Sequence, residues 1–268
     1  MNLTGEPASH TGTQSNPFSN DLARANSSYT VYDGKGLVRP PGDDRPVPPV
    51  AEFVHDAFRA LVLNPRFACV GAKSAVNCEG YRFGLYGEIG SDGATAGLAH
   101  DLFQFVGEQP ALNSEFTTYV AGFESPVAAD ERVFEQQLWA QLQRLHDLDH
   151  HVHAWDPSVS ADPAAPDFSF SFASCAFFVV GLHPASSRWV RRFAWPTLAF
   201  NAHAQFERLR EQGRFVGMQR AIRSRDHALQ GSINPSLSTF GELSEARQYS
   251  GRAVEENWTC PFQVYPGI

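Results

Sequence analysis

The residues of this chain best suited to chemistry are among its ten histidines. His183 follows an aromatic run, FSFSFASCAFFVVGL at 168–182, and precedes Pro184, Ala185, Ser186, Ser187 and Arg188. Phenylalanines alternating with serines have the period of a half-buried strand, and the apolar run at 177–180 reads as a fully buried one. Pro184 lacks a backbone donor and fixes φ, so the strand must end there and carry His183 at its mouth. An imidazole held in this way can ligate a metal through one neutral nitrogen. The bland alternative is a structural histidine in a loop after a core strand. His146, His150, His151 and His153 form the densest cluster, in LHDLDHHVHAWD at 145–156. His146 and His150 share a helical face, a workable spacing for a non-haem metal if a third ligand arrives from elsewhere. Such residues at a helix end are also ordinary surface residues.

Arg188, Arg191 and Arg192 follow His183, and Arg247 and Arg252 lie in SEARQYSGR at 244–252. Physically, a haem would be served by such parts: an imidazole for iron, aromatic walls for the macrocycle and guanidinium groups for the propionates. Solvated surface and internal ion pairs are the alternative reading of the arginines. Other chemistries lack their residues. There is no Gly-x-Ser-x-Gly elbow, no Walker or Rossmann glycine pattern and no Cys-x-x-Cys pair. The four cysteines, Cys69, Cys78, Cys175 and Cys260, read as reduced and mostly buried thiols.

A formal net charge of −8 argues against binding a nucleic-acid backbone, and the longest apolar run is far short of the ~20 residues of a membrane span. With no charged and apolar leader at the N-terminus, a cytoplasmic protein is expected. At 268 residues and 43% hydrophobic content the chain can build one large core. Residues 1–50, rich in Ser, Asn, Gly and Pro, read as a flexible arm that could swap across a homodimer.

The elements that must position these residues follow from periodicity. Helices are expected at 51–62, with His55 on its surface, at 95–106, at 126–149 with Asp130 and Glu131 near its start, at 202–211 capped by Asn201 and stopped by Gly213, and at 218–229. Strands are expected at 81–89, 116–124, 168–182 and 196–200. Loops, GSINP and FGELSEARQYSGR, follow the last helix. Without regular βαβ alternation, this order predicts an α+β single domain, 51–268, with a mixed or largely antiparallel sheet packed by helices.

Several blocks together carry a family resemblance. NPRFACVGAKSA (64–75), LWAQLQRLHDLD (138–149), FFVVGLHPASSR (177–188), PTLAFNAHAQFERLR (196–210), ALQGSINP (228–235) and SEARQYSGRAV (244–254) resemble, in order, the YqcI/YcgG family. Ala68 departs from the proline of its Asn-Pro-x-Phe-x-Cys block. The resemblance implies a haem b enzyme, an N-oxygenase hydroxylating the guanidino or side-chain amino nitrogen of a basic amino acid such as L-arginine in natural-product biosynthesis. It makes His183 the expected axial ligand, with His146 and His203 as rivals, and Arg188, Arg247 and Arg252 the propionate partners. Phe178 becomes a haem wall. Glu88, Asp101 and Glu124 are expected to hold the substrate's cation, and Arg82 its carboxylate. With no reductase domain in the sequence, the oxidant would be dioxygen with an external electron donor such as ferredoxin, or hydrogen peroxide. The alternatives are a haem-binding or sensing protein without turnover, and a non-haem metal enzyme using His146, His150 and His153.

Overall fold

The computed structural model describes residues 15–233 and 241–265. From residue 15 on, the segment expected to be a flexible arm is built into the fold. Helix α1 (Asp21–Asn26) is capped by Asn20, whose side chain accepts from the Ala23 amide. It lies so close to Gly97 that a Cβ there would meet the Asn26 carbonyl oxygen at 2.3 Å. Beyond it Thr30 exchanges backbone hydrogen bonds with Phe83, and β1 (Val31–Tyr32) pairs with β2 (Leu37–Val38). The correction has a simple cause: Phe18, Tyr29 and Leu37 are buried, and few apolar residues suffice when a preformed sheet and helix receive them. The remainder of that arm, residues 1–14, lies outside the described residues, as does part of the GSINP loop.

Helices α2 (Pro49–Leu63) and α3 (Val70–Asn77) precede strand β3 (Tyr81–Glu88). Helix α4 (Asp92–Glu108), strand β4 (Thr118–Ser125) and helix α5 (Glu131–Asp149) follow. Asp130 caps α5 by accepting from the Arg132 and Val133 amides. The single strand expected at 168–182 is a hairpin, β5 (Phe170–Phe172) and β6 (Cys175–Leu182), turning through Ala173 and Ser174 at φ +52° and +55°. Two central residues with positive φ define the tight turn that matches strand twist, normally built from Asn and Gly, so Ala-Ser hid it. Strand β7 (Thr197–Ala202) runs directly into α6 (His203–Glu211). Asn201 is therefore a strand residue: its side-chain amide donates to the Phe178 and Ala199 carbonyls, and α6 has no side-chain cap. Gly213, at φ +68°, ends that helix region before α7 (Phe215–Gln230), and α8 (Ala246–Tyr249) is a final turn.

The sheet order is β3-β4-β7-β6-β5, with β3 and β4 parallel and every other pair antiparallel. This is the mixed sheet expected from sequence, in one α/β domain. Its two faces have different covers. Tyr119, Ala121 and Phe123 of β4, Phe177 and Val179 of β6, and Leu198 and Phe200 of β7 pack with Leu98, Leu102, Phe134 and Leu138 of α4 and α5. Helix α5 approaches β6 so closely at Gly181 that a Cβ there would sit 2.6 Å from the Phe134 ring. On the opposite face α2 covers β3, with Val54, Phe58 and Val62 against Tyr81, Phe83 and Val120.

His55 belongs to this second core and not to the surface. It is fully buried, and its Nε2 lies 2.7 Å from the Tyr81 hydroxyl. The thiols also differ from expectation: all four are free, but Cys78 is exposed and the other three half-buried.

Candidate functional site

The second face of the sheet is only partly filled by α2. Between its central strands and α3, α6 and α7 lies a cavity of about 280 Å³, just below the roughly 300–1,000 Å³ of small-molecule sites. Its floor follows from the period of two: Thr118 and Val120 of β4, Phe178, Val180 and Leu182 of β6, and Ala199 and Asn201 of β7. Ala199 at the centre is the small residue that leaves space between larger neighbours. Ala72 and Ala75 of α3, Phe206 of α6 and Phe215, Met218 and Ile222 of α7 form the apolar wall. Met218, Ile222 and Asp226 recur every four residues and so share one helical face.

Set in this apolar wall are charged groups. Arg188 donates from Nη2 to Asp226 Oδ2, from Nη1 to Ser232 Oγ at 3.0 Å and from Nη2 to the Ser232 carbonyl at 2.7 Å. The remaining atoms of that ion pair, Arg188 Nε and Asp226 Oδ1, are buried without a hydrogen-bond partner. Arg191 donates only to backbone carbonyls, those of Gly181, Gln248 and Tyr249, and has no carboxylate partner among the described residues. Burial pushes its guanidinium down to about 10. Glu245 accepts from Ser169 Oγ at 3.1 Å, and burial drives its carboxyl up to about 8, so it is protonated at neutral pH. Cys69, Arg210, Arg223, Gln205 and Gln248 also line the space.

A family model described as the YqcI/YcgG family matches residues 58–263. The chain belongs to the YqcI/YcgG family. No curated protein and no solved structure matches it. The matched span of this YqcI/YcgG member contains every residue that lines the cavity, from Phe58 to Gln248.

Of the residues expected to hold a haem, the cavity receives Phe178 and Arg188. His183 does not line it. It directly follows the last residue of β6 and stands on the α5 side, stacked on Phe134 with ring centroids 4.2 Å apart. His183 is fully buried, neither ring nitrogen has a hydrogen-bond partner, and burial lowers its pKa to about 4. His146, on α5, accepts from the Tyr265 amide through Nε2, and burial likewise lowers it to about 4. His203 opens α6 and pairs with Glu207 at 3.0 Å; burial pulls its pKa down. Neither lines the cavity. Arg247 turns to the Trp258 and Glu255 carbonyls, and Arg252 to Glu135 and Glu255.

The substrate-binding acids and Arg82 also lie elsewhere. Glu88 and Glu124 are exposed, Asp101 accepts from the Ser28 amide and the Tyr86 hydroxyl, and Arg82 is paired with Glu108. The cavity's own acids are Asp226 and Glu245. Asp226 had a readable signal, its place on the Met218 and Ile222 face. Glu245 had none beyond its block. Among the described residues no group of three or more His, Cys, Asp or Glu side chains could hold a metal ion, so His146, His150 and His153 do not assemble one. His153 Nδ1 instead pairs with Asp149 at 2.7 Å. No helix among the described residues is long and apolar enough to cross a membrane.

The lining offers what the body and the propionate edge of a haem would need: a sheet floor, aliphatic and aromatic walls, and buried or half-buried guanidinium groups. It offers no imidazole for an iron, since no histidine is among the described residues that line it.

Proposed function

We propose that this YqcI/YcgG protein is a haem-dependent N-oxygenase that hydroxylates the guanidino or side-chain amino nitrogen of a basic amino acid such as L-arginine. The observation that carries the reading is one cavity in which an apolar sheet floor, guanidinium groups and two buried carboxyl groups meet. Haem bound there would supply the activation of dioxygen or of hydrogen peroxide.

The chain's own residues would do the rest. Val120, Val180 and Phe178 offer an apolar bed that excludes water from the reacting nitrogen. Arg191 and Arg223 supply positive charge for propionates, whereas three of the five N–H donors of Arg188 are taken by Asp226 and Ser232. Glu245 and Asp226 are the acceptors for a cationic guanidino or ammonium group. A cation beside Glu245 stabilises its charged form, so docking is coupled to loss of the Glu245 proton. An external donor such as ferredoxin would deliver electrons if dioxygen is the oxidant.

The test is optical. Purified protein given haemin should turn red and develop a Soret band that moves on addition of L-arginine, and labelled dioxygen should appear in an N-hydroxy product. Protein that takes up no haemin refutes the reading. A spectrum unmoved by every basic amino acid would favour haem binding without turnover.

A further inference from the structure

We propose that Cys69 is the side chain that ligates haem iron in this cavity, in place of His183. This inference rests on the haem reading above and adds the ligand. Among the cavity-lining side chains only Cys69 and Met218 carry an atom that commonly ligates haem iron in proteins, because no histidine or tyrosine lines it. Cys69 is at the N-terminus of α3, where its sulfur accepts from the Ala72 amide at 3.4 Å. A helix N-terminus and a backbone donor both favour a thiolate. Met218 lies in the first turn of α7, in the apolar wall, and its neutral thioether cannot supply a negative charge.

An independent observation points to an anionic occupant. Arg191, 9% exposed, lines the same cavity without a carboxylate partner among the described residues, and its electrostatic neighbours include Cys69. A lone buried cation is costly unless a negative charge arrives to pair with it. Arg188 Nε and Asp226 Oδ1 are also unsatisfied polar atoms of deeply buried side chains lining this space. Without metal, burial pushes the Cys69 thiol up and leaves it neutral. On ligation the S–H bond breaks, its electron pair makes the sulfur–iron bond, and the proton leaves to solvent; no electron is transferred and no oxidant is needed. Arg191 then faces a thiolate.

The experiment uses the full-length protein with haemin as probe and reads the ferrous carbon monoxide spectrum and haemin affinity, not turnover. Wild type and His183→Phe should both give the red-shifted band characteristic of a thiolate trans to carbon monoxide. Cys69→Ser should lose that band and bind haemin at least about tenfold more weakly. An imidazole-type band in wild type that disappears in His183→Phe overturns the Cys69 assignment and leaves the haem reading standing. A thiolate-type band that survives in Cys69→Ser overturns it as well. Wild type that takes up no haemin refutes the haem reading itself. Should Cys69→Ser fail to fold, the wild-type band alone still decides between thiolate and imidazole.

Discussion

The imidazole of His183 lies flat on the ring of Phe134, 4.2 Å between centroids and 17° from parallel, with both nitrogens buried and unpartnered. A residue that looks like a ligand in sequence is thereby part of the α5 interface. Two buried nitrogens without partners cost stability that a hydrocarbon ring of similar shape would not.

His183→Phe should therefore be neutral or stabilising by up to about 1–3 kcal/mol in urea unfolding. The pH dependence has a defined sign. His183 is held near 4 when folded, below its unfolded value of about 6.5, so the unfolded state binds the extra proton. Its contribution is complete above pH 6.5 and is lost as pH falls from there toward 4. The variant should show a slope of stability on pH shallower by about 1.4 kcal/mol per unit near pH 5. An unchanged slope would refute the buried neutral imidazole.

Arg188 and Asp226 are paired inside the cavity wall at 6% and 4% exposure. Removing one leaves the other charge buried and unpaired. Arg188→Leu or Asp226→Leu alone should cost about 3–5 kcal/mol, and the double variant clearly less than their sum. Additive losses in a denaturation cycle would argue against the pair.

The β5-β6 turn places Ala173 and Ser174 in the left-handed region, where a side chain costs roughly 1–2 kcal/mol per residue. Replacing them by Asn-Gly should raise the unfolding midpoint by an amount equivalent to about 1 kcal/mol or more. A loss of stability would contradict the two-residue hairpin.

Glu245, at about 8 in the fold, sits above its ordinary value of 4.5, so the folded state holds the proton that the unfolded state gives up. Its contribution is complete below pH 4.5 and is lost as pH rises through 8. Glu245→Gln should match wild type in stability near pH 5 and exceed it at pH 9, while weakening any spectral response to L-arginine at neutral pH. Equal stabilities at both pH values would show that the carboxyl is not held neutral.

Much of the scaffold was legible from residue spacing alone. The spacing of the apolar residues marked α2 and α5, because it reflects which side of a helix is buried, and the segments 81–89 and 116–124 read as strands are β3 and β4, buried on both faces over most of their length. The resemblance of ordered blocks fixed the family, which the match over 58–263 bears out. Misreadings came where local chemistry was atypical. An Ala-Ser turn concealed a hairpin, Asn201 had the residue type of a cap but donates its amide within the sheet, and His55 was polar yet buried against Tyr81.

By itself the sequence determined that a core strand ends at His183, since the apolar run stops there and Pro184 cannot continue a strand. It could not say which face would be filled and which left open. That was decided by packing: α4 and α5 close down on one side through Gly181, while α3, α6 and α7 stand off the other above Ala199. Only this asymmetry brings Cys69, Arg188, Arg191, Asp226 and Glu245 around one space and leaves the histidine on the far side of the sheet.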